Sequence, residues 1–108
     1  DLLHLAVEQD EFRSTMLRSM EPFDAIVCPV NAYPALPHGK TFDHIDAFSY
    51  TQTYNLTGWP GAVVRGGTSP EGLPIGVQIV AKPWREDVAL ALAGIIEAAL
   101  GGWRAPPM

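Results

Sequence analysis

The sequence is short of cysteine, of cationic charge and of long apolar runs, and each shortage excludes something. Its one cysteine, Cys28, has no internal partner, so no disulfide framework holds the fold, and a cytoplasmic setting is expected. Seven Lys and Arg stand against 12 Asp and Glu, a net charge of −5. Lys40, Arg65 and Lys82 are scattered, which leaves no electrostatic footprint for nucleic acid. No apolar run is long enough to span a bilayer, and no basic stretch followed by an apolar one marks a signal peptide. Neither a nucleic-acid nor a membrane partner is therefore expected. Metal-ligand spacing is also missing. His38 and His44 stand in a loop-like stretch with no cysteine or further histidine near them, so no metal and no cofactor is expected.

What is present is ordinary globular material. Hydrophobic residues make up 47% and charged residues 18% of the 108, which excludes a disordered chain. That length reads as a single domain, 1–108, able to bury roughly two thirds of its unfolded surface.

Residues 1–20 read as an amphipathic helix, with Leu2, Leu5, Phe12, Met16, Leu17 and Met20 mostly on one face and Pro22 stopping it. The helix starts at the first residue with no cap, as if cut from inside a larger protein. Residues 24–29 predict a strand, its Ala25-Ile26-Val27-Cys28 run suited to cover on both faces. Residues 30–42, with Pro34, Pro37 and Gly39, predict a stiff loop. Asp43 or Asp46 is expected to cap a short helix running to about Asn55, with Ala47, Tyr50 and Tyr54 on one face. Pro60 and Gly61 then redirect the chain into a second strand, residues 62–64. Residues 65–72 read as turn throughout, and residues 75–81 as a third strand, antiparallel to the second in a hairpin. The last helix, 85–100, carries Val88, Leu92, Ile95, Ile96 and Ala99 as its apolar stripe, with Gly101 and Gly102 ending it before a tail of residues 103–108. The fold class expected is α/β: a small mixed sheet of about three strands covered by helices.

Two stretches carry a family likeness. Asn55-Leu56-Thr57-Gly58-Trp59-Pro60, followed by Gly72-Leu73-Pro74-Ile75-Gly76-Val77-Gln78-Ile79-Val80, resembles the C-terminal part of the amidase signature family. Phe23-Asp24-Ala25-Ile26-Val27-Cys28-Pro29 and the helix entered through Trp84-Arg85-Glu86-Asp87 are similar to the same region, in the same order. The resemblance implies part of a hydrolase of amide C–N bonds. In that family a serine attacks the carbonyl, a second serine and a lysine take its proton, and backbone N–H groups hold the oxyanion. Those groups belong to a Gly/Ser-rich stretch that this chain lacks. Gly66-Gly67-Thr68-Ser69 falls in the hairpin turn with no lysine suitably before it. No catalytic residue is therefore carried over, and the isolated chain is expected to be inactive. The partner implied is the N-terminal remainder of an amidase. Without it, unpaired strand edges and bare apolar faces predict a homo-oligomer. The alternative is a free-standing, non-catalytic binding or scaffold module derived from an amidase.

The individual residues read as follows. Asn55, Gly58, Pro60, Gly61, Gly72, Pro74 and Gly76 are expected to shape backbone, with Asn55 pinning the turn through its side chain. Gln78, polar between apolar neighbours, either joins a structural hydrogen-bond network or lines a pocket. Asn31, Tyr33 and His38 follow the first strand, and the resemblance places such a loop near a substrate cleft. Cys28 reads as an inert core thiol, Ser49 and Ser69 as serines without a base, and Trp59, Trp84 and Trp103 as packing or interface residues.

Overall fold

Asp1 caps the first helix after all. In the computed structural model, which describes residues 1–106, its carboxylate accepts a hydrogen bond from the His4 backbone N–H at 2.8 Å. Helix α1 spans Leu2–Ser19 and is closed at Met20. Its partly buried positions are Gln9, Arg13 and Met16, with buried Met20 just beyond. That spacing of four, three and four is one helical stripe. The expected apolar face exists, but only its carboxyl-terminal half is covered. Leu2 and Leu5 remain 83% and 61% exposed.

Strand β1 (Ala25–Pro29), strand β2 (Gly61–Thr68) and strand β3 (Pro74–Ala81) form one sheet in the order β1-β3-β2. The α/β class and the three strands match the expectation. Both pairings are antiparallel, so the sheet is not mixed among the described residues. β1 is an edge strand rather than one covered on both faces, and Val27 is exposed. β3 is central, and Ile79, Val80 and Ala81 are fully buried. Burying side chains such as Ile79 and Val80 stabilises by about 1.5–3 kcal/mol each.

β2 is longer than expected, because Gly66 and Gly67 do not form the turn. A bulge between Arg65 and Gly67 absorbs one residue, and the ladder continues to Thr68↔Pro74. A Cβ on Gly66 would collide with Val77 Cγ2, so only glycine fits that bulge. The actual turn is tied by Ser69: its N–H donates to Leu73 O at 2.8 Å, and its Oγ accepts from Leu73 N–H at 3.2 Å. A hydrogen bond with Ser69 also holds the Glu71 carboxyl below the usual carboxylate range.

Register assigns the two sheet faces. Ile26, Cys28, Gln78 and Val80 share one face with Val63. Against it pack Met20 and Trp59, with Met16 and Tyr54 at the margin. The other face carries Ile79, Ala62 and Val64, on the side where helix α3 (Glu86–Leu100) packs across β2 and β3. The buried residues of α3 are Ala89 and Ala93, not Ile95, which is 66% exposed, or Ala99. Small side chains let the helix settle close to the strands, so the helix is rolled relative to its bulkiest stripe. Gly101 closes α3 at φ 83, and the Gly102 N–H reaches Glu97 O at 2.9 Å.

Between β1 and β2 the chain first makes an irregular loop, then a 3₁₀ segment (Thr41–Phe48) leading into helix α2 (Ser49–Thr57). Neither Asp43 nor Asp46 caps it, since Lys40 and Phe48 occupy the cap positions without side-chain hydrogen bonds. α2 ends at Gly58, whose φ of 71 is the left-handed stop. Asn55 lies inside the last turn, exposed, with no side-chain hydrogen bond among the described residues, so Gly58 provides the stop expected of Asn55. The last carbonyls of α2 are met from α1: Gln9 Nε2 and Arg13 Nε each donate to Leu56 O at 3.1 Å. A cation there also suits the negative end of the helix dipole. Of the three tryptophans only Trp59 is packed; Trp84 and Trp103 are 89% and 77% exposed. Pro107 and Met108, the end of the expected tail, lie outside the described residues.

Candidate functional site

A cleft of about 510 Å³ opens where the loop after β1 leaves the sheet. The loop supplies Asn31, Tyr33 and Pro34, α2 supplies Tyr50, and the hairpin supplies Val63, Ile75 and Gly76. The loop is anchored at two points. The Val30 N–H donates to Gly76 O at 3.4 Å, and the Ala32 N–H donates to Ala47 O at 3.1 Å. Tyr33 is steadied by the His44 ring, with centroids 5.3 Å apart and planes tilted by 59°.

Gly76 sets the depth of the cleft. A Cβ there would stand 2.9 Å from Val30 Cγ2 and 3.3 Å from Val63 Cγ1. The missing side chain is what lets these two valines close over the sheet. Pro74 opens β3 and Gly72 turns the chain at φ 88 just before it, so both fix where this floor begins. Gly61 opens β2, and the Pro60 carbonyl accepts from the Ala81 N–H at 3.0 Å, locking the strand's entry.

Of the four residues expected on a pocket wall, the structure brings Asn31 and Tyr33 to the cleft. His38 is exposed on the loop and does not line it. Gln78 lies beneath, buried within the sheet face. Its Nε2 is shared between Tyr50 O at 3.1 Å and Cys28 Sγ at 3.4 Å. Of its two readings, the hydrogen-bond network is the one this geometry displays. Tyr54 joins the same cluster. Burial, then the charge of a Cys28 thiolate, then a hydrogen bond with Cys28 push its hydroxyl above the usual tyrosine range. This polar knot ties β1, β3 and α2 together behind the cleft.

The cleft is lined chiefly by apolar and aromatic groups, the ordinary make-up of a small-molecule site. One polar feature stands out: Asn31 Oδ1 is buried and has no hydrogen-bond partner among the described residues. A buried acceptor left unpaired is costly, so this oxygen is the unsatisfied polar atom of the cleft lining. Tyr50, Val63 and Ile75 were not legible as cleft residues. Helical spacing put Tyr50 with Ala47 and Tyr54; Val63 faces the same way as Gly76 from β2, and Ile75 follows Pro74 at the start of β3. Among the described residues that line the cleft, none pairs a base with a nucleophile.

Comparison with known proteins places this geometry. Residues 2–90 match the family model Amidase. A glutamyl-tRNA(Gln) amidotransferase subunit of Beijerinckia indica subsp. indica is 35% identical over 103 residues, covering 86% of this chain and 21% of that protein. The fatty-acid amide hydrolase 2-A of Danio rerio is 49% identical over 59 residues, 55% of this chain and 11% of that one. Among solved structures, a 6-aminohexanoate cyclic dimer hydrolase complexed with substrate superposes with a TM-score of 0.82 at 28% identity, over 92% of this chain and 24% of its own. A crystal structure of an amidase gives 0.79 at 30% identity, over 89% of this chain and 24% of its own. The chain thus spans at most about a fifth of the length of these curated relatives. No helix among the described residues is long and apolar enough to cross a membrane. With sequence and fold matched along most of its length, the chain belongs to the amidase family.

Proposed function

We propose that this chain is the C-terminal structural portion of an amidase that cleaves amide C–N bonds with a Ser-Ser-Lys centre, and that it is inactive by itself. The observation that carries this is where its two lysines point. Lys40 Nζ is paired with Asp43 Oδ2 at 3.1 Å, and Lys82 Nζ donates to Glu21 O at 3.4 Å. Neither has a serine as hydrogen-bond partner among the described residues. Ser69 is spent on its own turn, and Ser19 Oγ donates to Thr15 O at 3.0 Å. A serine without a base stays a weak nucleophile.

In the whole enzyme this portion supplies sheet, core and one wall of the substrate cleft. Asn31 and Tyr33 form that wall, and Gln78 holds the strand beneath it. The partner is the N-terminal remainder of the amidase, which brings the serines and the lysine. No cofactor takes part, and the setting is cytoplasmic. Alone, the chain associates with itself through its open sheet edges and bare apolar faces.

The test is hydrolysis of simple aliphatic and aryl amides by the purified chain. The expected result is a rate indistinguishable from buffer. Turnover that co-purifies with the chain and is lost on Lys40→Ala or Lys82→Ala would overturn the proposal. Light scattering at rising concentration checks self-association, and a strictly monomeric species would refute it.

A further inference from the structure

The first eight residues of the chain are all exposed. They form the first two turns of α1, about 12 Å of helix standing clear of the body. The contact stripe farther along runs through Gln9, Arg13, Met16 and Met20. Carrying that stripe back by four and then three residues lands on Leu5 and Leu2, the apolar residues that face the same way. Leu56, 42% exposed, lies at the end of α2, where its carbonyl accepts from Gln9, one helical turn from Leu5. The pattern is a contact surface continued past the edge of what it contacts. A helix end with so few contacts is marginal in water.

The length of the matched structures says what belongs there. This fold recurs with a TM-score of 0.82 in a hydrolase of which it makes up 24%, so about three quarters of that polypeptide lies outside the matched part. We infer that the Leu2–Leu5 stripe of α1, with Leu56 beside it, is the docking surface for an apolar element of the remaining amidase polypeptide. This rests on the proposed function and adds which face makes the contact. Val7 lies on the opposite side of the helix and has no part in it.

The experiment compares two settings. One is the isolated chain, diluted until light scattering shows a monomer. The other is this chain grafted in place of the matching 103 residues of the Beijerinckia indica relative. Leu2→Glu with Leu5→Glu is introduced in both, and Val7→Glu serves as control. The expected result is a melting temperature unchanged in the isolated chain but lowered by roughly 5 °C or more in the graft, with Val7→Glu silent in both. Amide exchange of residues 2–8 should be slowed on the order of 100-fold in the graft relative to the isolated chain. Equal loss in both settings, no loss in either, or an equal effect of Val7→Glu would each overturn the docking surface. A graft that fails to fold counts instead against the reading of this chain as an interchangeable portion of an amidase, and is distinguishable on that ground.

Discussion

The hairpin and α1 are built from similarly apolar sequence, yet one is a finished core and the other is not. β3 has a strand on each side and packing on both faces, and its last residues are fully buried. α1 has no fully buried residue and is held at one end, by two hydrogen bonds to Leu56 O and by Met16. The difference teaches that amphipathicity marks the surface that needs cover without supplying the cover. A strand hairpin brings its own neighbour. A lone helix takes one from elsewhere.

That contrast is sharpest in the core. Ile79→Ala should cost about 3 kcal/mol in denaturant unfolding, since a buried large-to-small change loses both transfer energy and packing. Leu5→Ala in the same isolated chain should cost less than ~0.5 kcal/mol, as exposed changes do. Comparable losses would break the distinction between the two regions. Gln78→Leu should cost about 1–3 kcal/mol, because Tyr50 O loses its donor inside the structure. Gly58→Ala comes next at about 1–2 kcal/mol, the penalty for a side chain in the left-handed region where this glycine sits at φ 71. Gln9→Ala with Arg13→Ala should cost about 1 kcal/mol and raise amide exchange in α1 while sparing β3.

The smallest effect is alkaline. Tyr54 binds its proton more tightly folded than unfolded, because its pKa is raised on folding. Its contribution is therefore whole below the unfolded tyrosine value, about pH 10, and is lost as pH rises through the higher folded value. Tyr54→Phe should flatten that part of the stability profile. An unchanged slope would show that Tyr54 does not titrate with folding.

Much of the fold was legible from local chemistry. Pro22, Gly58 and Gly101 end helices where proline and left-handed glycine should, and the third strand announces itself by Ile75, Val77 and Ile79 alternating with Gly76, Gln78 and Val80. The misreadings share a cause, which is that a neighbour decided. Gly66 and Gly67 look like a turn, but β2 carries on past them through a bulge at Gly66, where Val77 leaves no room for a Cβ. Ile95 looks like a core residue, but the sheet accepts Ala89 and Ala93 because they allow a closer approach. Of the cleft, Asn31 and Tyr33 were legible because the family resemblance sets the loop after the first strand near a cleft. Tyr50, Val63 and Ile75 were not, since they come from α2, β2 and β3 and meet only in the tertiary fold.

By itself, the order of residues determined the kinds of element, their stops and the family, because caps, periodicity and turn chemistry act within a few positions. The tertiary structure alone decided the strand order β1-β3-β2, the roll of α3, the depth of the cleft over Gly76 and which half of α1 is covered. Each of those depends on how closely two distant stretches can approach, and steric fit between them is settled only when both are in place.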